Sequence, residues 1–594
     1  MSNQPKARMD PITQSVIHYG LIGAVAEMKA VVVRTAYSNL WKHAGDLSCG
    51  ILTPEGEIVA QGEADIPVHL SSMPYSLRGI LSKIDPGLLR PGDVLLQNDP
   101  YQGNNHLPDL IMVRPIFYKG GLVAYAAVRG HYVDVGGMGP GSYSVLTDDI
   151  YAEGLRIPPV RIFKAGKLDR DVLEMLLANM RNPRERLGDF HSQMAGCLAG
   201  ERRVHAYCGK YGPDTVMAAM ASILDDAERR TRVAIAGIPD GEYRFEDFCD
   251  GVRPEDGPIK IAGKVTVRAD EVEVDFSGSS DQVRGGMNAP PAVTASGVYY
   301  AIKCLTDPGA PPNSGCYRPI RIHAPLGSVV NPEFPGPVVA ANIETSTRIA
   351  EVVTGALAGA LPGRVAAASS GTSGALVLGA DARQGNGSRR GAIMVEAHGV
   401  GHGASAASDG LNGRRVGLGN MSNTPNEVLE ATFPITILRY ELTRDAGGPG
   451  RCRGGTGLTR EVRFDEDLTA TVVADRVQVA PYGLHGGLGG GKAQFWVEIP
   501  GHERQAIHSR SAPLRLPKGT VLHFQVAGGG GYGRPEDRAL ECIQDDLDDG
   551  YLSPEMARKH YGVRVTRDES RPDGQWVASA PVSADSSSHE PSPC

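Results

Sequence analysis

The chain has 594 residues, 41% of them apolar and 22% charged, which is enough for about two to four domains with a large core. Its formal net charge of −8 is spread along the sequence without a basic block, which argues against nucleic acid or an anionic membrane as the main partner. Neither a run of about 18 apolar residues nor the apolar core of a signal peptide is evident, so we expect a cytoplasmic protein that does not span a membrane.

The first predicted element is a long helix. Asp10 followed by Pro11 is typical of an N-cap and first turn, and apolar residues recur after it at helical spacing over about 25 residues. Residues 46–61 then predict a β-hairpin with its turn at 54–57. Further strands are predicted at 93–97, 110–117 and 122–128.

The middle of the chain changes pattern twice. Helical spacing dominates up to residue 238, interrupted at Pro183 and restarted at Pro213. Alternating strands follow at 264–276, and helices are predicted at 289–305 and 345–361.

These patterns predict an α+β fold, a mixed multi-domain chain with a long N-terminal helix, a helical middle segment and glycine-rich β regions. The predicted regions are an N-terminal α/β region with the candidate metal site at 1–165, a helical segment at 166–238, a mixed α/β region at 239–395, a glycine-rich β-containing region at 396–564, and a polar, disordered tail at 565–594.

The strongest chemical signal is a pair of His-x-x-Asp patterns. His106 and Asp109 lie in a predicted loop, and His131 and Asp134 follow the next strand. Asp46, at the start of the predicted hairpin, is a further carboxylate candidate. Imidazole and carboxylate ligands without thiolate suit a divalent ion such as zinc, manganese, iron or cobalt. From spacing alone a surface loop, in which His106 only forms a hydrogen bond, is the alternative.

Other motifs predict no cofactor site. None of the nine cysteines forms a Cys-x-x-Cys pair, so we expect neither a disulfide framework nor a thiolate zinc site. Residues 486–493 match the glycine and lysine spacing of a phosphate-binding loop. However, Ala493 replaces the hydroxyl that binds magnesium and a predicted strand follows, so we expect a connecting loop. His398 and His402 lie among glycines that disfavour a shared helix, which favours packing or a pocket-lining loop.

Short motifs along most of the chain indicate a family. They run in order from residue 34 to beyond residue 530, and in them the chain resembles the B-type subunit of the hydantoinase/oxoprolinase family. The matching segments are Arg34-Thr35-Ala36-Tyr37-Ser38, Asp46-Leu47-Ser48-Cys49, Ile66-Pro67-Val68-His69-Leu70, Asn98-Asp99-Pro100-Tyr101, Asn105-His106-Leu107-Pro108-Asp109, Gly130-His131-Tyr132-Val133-Asp134, Val283-Arg284-Gly285, Asn423-Thr424-Pro425-Asn426-Glu427, Arg439-Tyr440-Glu441-Leu442, Arg453-Gly454-Gly455-Thr456-Gly457 and Gly528-Gly529-Gly530-Gly531-Tyr532-Gly533.

The resemblance implies a metal and a partner. It implies a divalent ion, zinc or manganese first and iron or cobalt as alternatives, held by Asp46, His106, Asp109 and His131. It also implies an A-type partner that binds ATP and magnesium, and hence a hetero-oligomer.

The function that the resemblance implies is that of the metal-binding catalytic subunit of an ATP-dependent cyclic amidase. Its substrate would be a small cyclic amide: a hydantoin, oxoproline or a lactam. ATP would phosphorylate the amide oxygen, and the metal would deliver hydroxide to the ring carbon.

The roles of several polar residues stay open at this point. Asp134 and His69 are the catalytic candidates, to orient a ligand or move a proton, with bracing of strand ends as the alternative. Arg34 and Arg129 could meet phosphate or form structural ion pairs.

Three other functions compete with the cyclic amidase. They are a subunit of an ATP-dependent ketone carboxylase, a non-catalytic scaffold with a structural metal, and a self-contained nucleotide-binding protein.

Overall fold

Helices and strands alternate in groups along the chain. The computed structural model describes residues 9–380, 391–568 and 575–580. The helices are α1 (Pro11–Thr35), α2 (Pro67–Leu70), α3 (Met73–Leu81), α4 (Arg170–Ala178), α5 (Pro183–Tyr211), α6 (Pro213–Ile235), α7 (Pro291–Thr306), α8 (Thr345–Ala356), α9 (Asn426–Thr432), α10 (Leu540–Asp548) and α11 (Pro554–Tyr561). The strands are β1 (Leu47–Leu52), β2 (Ile58–Gln61), β3 (Val94–Gln97), β4 (Asp109–Tyr118), β5 (Gly121–His131), β6 (Val160–Lys164), β7 (Lys167–Leu168), β8 (Gly241–Cys249), β9 (Ile259–Arg268), β10 (Glu271–Asp275), β11 (Ile320–His323), β12 (Ala375–Ala380), β13 (Ile393–Ala397), β14 (Ile435–Leu442), β15 (Leu458–Phe464), β16 (Leu468–Val473), β17 (Gln494–Glu498), β18 (Gln505–Ala506), β19 (Leu514–Leu516), β20 (Val521–Gln525), β21 (Arg564–Arg567) and β22 (Trp576–Ser579). The predicted α+β fold class is confirmed.

The long helix α1 begins where the sequence predicts. The Asp10 carboxylate accepts a hydrogen bond from the Thr13 backbone N–H at 2.9 Å, which satisfies one of the free donors of the first turn. Its inner face is fully buried at Leu21, Val25 and Met28 and packs against α5 and the neighbouring sheet. This burial anchors the N-terminal region to the rest of the fold.

Helix α1 also meets the length and composition test for crossing a membrane, and it is the one helix of the described residues that does. The test is met because the outer face is apolar too, with Ile12 and Tyr19 exposed. Core helices of soluble proteins pass the same test, so α1 is weak evidence for a membrane.

One antiparallel sheet positions the residues of interest. It has seven strands in the order β2-β1-β5-β4-β3-β6-β7. In the β4–β5 hairpin, Asp109 lies directly opposite His131, and on the other side of β5 Leu47 lies opposite Gly130. The backbone oxygen of Asp46 accepts a hydrogen bond from the His131 N–H at 3.2 Å. The register therefore brings three polar residues from separate parts of the sequence to one end of the sheet.

Two of the predicted region boundaries fall within sheets. Strand β12 lies before the predicted boundary at 395/396, yet it pairs with β16, which lies beyond it, in the sheet β13-β12-β16-β19. Similarly, the boundary at 165/166 falls inside the turn between β6 and β7. The remaining sheets have the orders β11-β10-β9-β8, β14-β15-β20-β17-β18 and β21-β22.

Two predicted elements differ from the structure. Helix α8 ends at Ala356, before the predicted end at 361, in a segment where Gly359 and Pro362 favour turns. The antiparallel pair β21–β22 begins at Arg564 and otherwise lies within 565–594, the range for which the sequence predicts disorder. It forms because Val565 and Ala578 are buried against α10 and α11. The other residues of that prediction, 569–574 and 581–594, lie outside the described residues.

Candidate metal centre

Three ligand-type atoms converge at the end of the β4–β5 hairpin. His106 Nε2 lies 3.0 Å from Asp109 Oδ1, and His131 Nδ1 lies 3.2 Å from the former and 3.3 Å from the latter. Four-coordinate ligands held about 2.0 Å from a divalent ion lie about 3.3 Å from one another, so the separations match such a centre. All three side chains are buried. These residues form a candidate metal-binding triad.

Asparagines hold the loop that presents His106. Asn98 Nδ2 donates to Leu107 O at 2.7 Å, and Asn104 Nδ2 donates to Asp109 O at 2.6 Å and to Asn98 O at 2.9 Å. These bonds satisfy backbone carbonyls that would otherwise be buried without partners. The loop is therefore fixed relative to β4.

The tautomer of His106 follows from its second nitrogen. His106 Nδ1 lies 2.7 Å from the carbonyl oxygen of Val339 and must donate to it, so in the neutral imidazole, the form that binds a metal, Nε2 presents its lone pair to the cluster. His131 Nε2 is buried and has no hydrogen-bond partner among the described residues. With His131 Nδ1 directed at Asp109 and His106, the arrangement fits an ion at the point where the three atoms meet.

Charge interactions within the triad are favourable. Burial disfavours the charged form of His106, but the adjacent Asp109 carboxylate outweighs it and raises the pKa of this imidazole. Burial likewise disfavours the Asp109 carboxylate, yet His106 and His69 hold its pKa well below the usual range. The carboxylate is therefore ionised at neutral pH, as a metal ligand requires.

Asp46 and His69 adjoin the triad. His69 Nε2 lies 3.3 Å from Asp109 Oδ2 and 3.8 Å from Asp46 Oδ1, and its Nδ1 lies 3.3 Å from Ser48 Oγ. The structure thus brings together His106, Asp109 and His131, and it places Asp46 beside them, across His69.

Asp134 is engaged elsewhere. Its carboxylate accepts the backbone N–H groups of Gly136 at 2.9 Å and Gly141 at 3.0 Å, and Arg181 Nη1 donates to it at 2.8 Å. These contacts close the loop after β5 and favour the bracing role that the sequence left open.

The two arginines that are candidates for binding phosphate lie in different environments. Arg34 is exposed in the last turn of α1. Arg129 is fully buried, and this burial lowers the pKa of its guanidinium to about 10. Its guanidinium donates to His69 O at 3.0 Å and to the hydroxyls of Ser72 and Ser76. Arg129 therefore holds the α2–α3 segment, including the backbone of His69.

Further polar residues at the triad were missed by sequence reasoning. Asn105 Nδ2 and Asn342 Nδ2 lie 3.2 Å and 3.4 Å from Asp109 Oδ2, and both amide oxygens are buried without partners among the described residues. The Tyr143 ring lies 5.9 Å from the His106 ring and 5.6 Å from that of His131. Asn105 begins the family motif at residues 105–109, whereas no sequence pattern near Asn342 links it to the triad.

The other motifs form connecting structure. Lys492 Nζ donates to Gln478 O at 2.7 Å, and β17 begins two residues later at Gln494, as expected for a loop that leads into a strand. His398 Nδ1 lies 2.6 Å from Gly374 O, and His402 Nε2 lies 2.8 Å from Arg415 O, so each imidazole has its own backbone partner.

Comparison with known proteins gives a consistent result. The model of the family described as hydantoinase B/oxoprolinase matches residues 10–535. The chain is 32% identical to the beta subunit of the caprolactamase of Pseudomonas jessenii, over 94% of this chain and 96% of that one. It is 31% identical to the B-type subunit of a putative D-/L-hydantoinase of Pseudomonas sp. (strain NS671), over 95% of this chain and 96% of that one.

Solved structures share the fold. The crystal structure of an ATP-dependent caprolactamase from Pseudomonas jessenii superposes with a TM-score of 0.87 at 30% identity, covering 94% of this chain and 97% of that chain. A nucleotide-free acetone carboxylase structure superposes with a TM-score of 0.86 at 21% identity, covering 96% of this chain and 81% of that chain, a likeness of fold. The chain therefore belongs to the hydantoinase B/oxoprolinase family.

Proposed function

We propose that this chain is the metal-binding catalytic subunit of an ATP-dependent enzyme that opens a small cyclic amide, working with an A-type ATP-binding subunit. The observation that supports the proposal is the convergence of His106 Nε2, Asp109 Oδ1 and His131 Nδ1 within 3.3 Å of one another. Relatives named as subunits of a hydantoinase and of a caprolactamase support the reaction class. In this proposal the complex is a cytoplasmic hetero-oligomer, and the ion is zinc or manganese, with iron or cobalt as alternatives.

The residues of the chain have distinct roles in this proposal. A bound divalent ion would supply Lewis acidity and lower the pKa of water. His106 is held by Val339 O so that its Nε2 faces the centre. His69 lies between Ser48 Oγ and the Asp109 carboxylate, a position from which it can orient that carboxylate or hold a proton. Burial excludes water and strengthens each of these interactions.

A scaffold with a structural metal is the second candidate, because the triad is closed from solvent. His106 and Asp109 are 0% exposed and His131 is 3% exposed, as structural sites are. The ligand count favours the catalytic reading, since structural zinc sites use four protein ligands and catalytic sites use three. Among the described residues, the group of ligand atoms that could share one ion has three members, His106, Asp109 and His131.

Turnover with the partner tests the proposal. The chain would be combined with an A-type subunit, ATP and magnesium, and hydantoin, 5-oxoproline and caprolactam would each be supplied with and without bicarbonate. Ring-opened product and ADP should form without bicarbonate, and His131→Ala should abolish both, whereas the exposed control His502→Ala should retain them. A product enlarged by one carboxylate would support the carboxylase alternative. Full turnover by His131→Ala would leave the scaffold as the better account.

A further inference from the structure

Arg415 is a buried arginine whose side chain contacts the backbone of Ser373 and His398. Its neighbour Arg414 pairs with Val400 in an isolated bridge and is exposed, whereas Arg415 is 9% exposed and points inward. The two adjacent arginines therefore have opposite environments.

The guanidinium of Arg415 is only partly satisfied. Nη1 donates to His398 O at 2.9 Å and to Ser373 O at 3.3 Å, but the neighbour of Nη2 is Met421 Sδ at 3.5 Å, a weak acceptor. Its Nε is buried without a partner, and among the described residues no carboxylate oxygen lies within 4.0 Å of Arg415.

Two other buried arginines of this chain are paired with carboxylates. Arg348 contacts Asp247 at 2.9 Å and Asp475 at 3.0 Å, and Arg476 contacts Asp247 at 3.1 Å. A buried cation without a carboxylate is costly, and a guanidinium edge binds carboxylate or phosphate in a bidentate way. Arg415 thus presents an edge that an oxyanion would complete.

The segment that contacts this edge also contacts the residues just before Asp46. Met421, which contacts Nη2, is followed by Ser422, whose N–H donates to Ala44 O at 2.9 Å, two residues before Asp46. Burial lowers the pKa of Arg415, and the charges of Glu396 and Asp46 oppose this without cancelling it. Arg415 is therefore within electrostatic reach of Asp46, which lies across His69 from the triad, and of Tyr143, whose ring lies 5.6 Å from that of His131.

We propose that Arg415 binds an oxyanion of the substrate, a carboxylate or a phosphate, beside His106, Asp109 and His131. The identity of this anion as part of the substrate rests on the proposed function. A carboxylate would belong to the cyclic amide itself, as in oxoproline, and a phosphate would arrive during ATP-dependent activation. Arg415 would be a binding residue that positions the anion relative to the triad.

Anion titrations of the whole chain without its partner test this inference. Inorganic phosphate and 5-oxoproline would be titrated separately into wild type, Arg415→Gln and Arg414→Gln by calorimetry, with the chain metal-free and zinc-loaded. We expect wild type to bind at least one anion, Arg415→Gln to weaken its Kd by about tenfold or more, and Arg414→Gln to match wild type. If Arg415→Gln loses affinity for only one of the two ligands, phosphate or 5-oxoproline, that ligand identifies the source of the anion.

Two results would overturn the inference: no binding of either anion by wild type, or an unchanged Kd in Arg415→Gln. Should circular dichroism show that Arg415→Gln does not fold, Arg415→Lys keeps the charge but lacks the planar guanidinium, so its Kd should still rise. A wild-type Kd in Arg415→Lys would then overturn it. These titrations are independent of turnover, so absence of amidase activity alongside Arg415-dependent binding would count against the proposed function and not against the anion site.

Discussion

At the residue scale, His69 lies between two carboxylates. It is 3.3 Å from Asp109 Oδ2 and 3.8 Å from Asp46 Oδ1. Residues that orient a metal ligand without binding the ion themselves alter metal affinity by about 10–100-fold. We therefore predict that His69→Ala weakens zinc affinity by that factor and leaves one site per chain, as measured by competition with a chromophoric chelator. Unchanged affinity would show that His69 has no such role, and loss of the site would make it a ligand.

Asp134 should behave differently from the triad. Because its carboxylate satisfies the N–H groups of Gly136 and Gly141, Asp134→Ala should lower the free energy of unfolding by about 1–3 kcal/mol. The Arg181 side chain is 41% exposed, so its ion pair adds little to this loss. Metal content of the folded variant should equal that of wild type. Urea denaturation and metal analysis check the two statements, and a stable variant that has lost its metal would contradict the bracing role.

Local sequence predicts only part of this site. His106, Asp109 and His131 are found from spacing because a tight loop separates the first two and a single β-hairpin separates Asp109 from His131. Asn342 is not, since it reaches Asp109 from a position 233 residues away in the sequence, and nothing near it points to a metal. Such contacts arise from tertiary packing, which local patterns do not encode.

At the element scale, Glu153 supports the segment that orients His106. Glu153 Oε1 accepts the N–H groups of Val338 at 2.7 Å and Val339 at 2.9 Å, and Val339 O in turn accepts from His106 Nδ1. Burial raises the pKa of Glu153 from 4.5 to about 8. The folded state therefore holds this proton more tightly than the unfolded state does.

Glu153 should make stability depend on pH. A raised carboxyl pKa contributes stability that is complete below pH 4.5 and is lost as the pH rises through about 8. Glu153→Gln keeps an oxygen acceptor for Val338 and Val339 but cannot titrate. Between about pH 6 and 8, the variant should lose about 2 kcal/mol less unfolding free energy than wild type. Parallel pH dependences in chemical denaturation would contradict this.

Elements with local start and stop signals are the ones that the sequence predicts well. Helix α1 has its Asp10 cap, and the β4–β5 hairpin has its Lys119-Gly120 turn, with positive φ at both residues. The extent of α8 and the existence of β21–β22 are predicted poorly because both depend on what packs against them.

At the scale of the whole molecule, buried ion pairs join two of the predicted regions. Arg348 on α8 contacts Asp247 on β8 at 2.9 Å and Asp475, just after β16, at 3.0 Å. The predicted boundary at 395/396 lies between Arg348 and Asp475, whereas Asp247 belongs to the same predicted region as Arg348. Together with the sheet that crosses the same boundary, the ion pairs tie the mixed region to the glycine-rich region.

Arg348→Met should therefore be strongly destabilising. It leaves Asp247 and Asp475 buried with less compensation, which typically costs about 3–5 kcal/mol. The control is Arg230→Met. Arg230 is exposed, its partner Asp307 lies at 2.9 Å and is half-buried, and loss of this pair should cost about 0–1 kcal/mol. Urea denaturation of both variants measures the contrast, and equal losses would show that the buried pairs do not join the two regions energetically.

Metal content of the purified chain tests the central claim most directly. Wild type, His106→Ala, Asp109→Ala and the exposed control His502→Ala would be compared by elemental analysis. The triad predicts about one divalent transition metal per chain in wild type and in His502→Ala, and its loss from the other two. A metal-free wild type, or full metal in His106→Ala and Asp109→Ala, would contradict a metal centre at this end of the sheet.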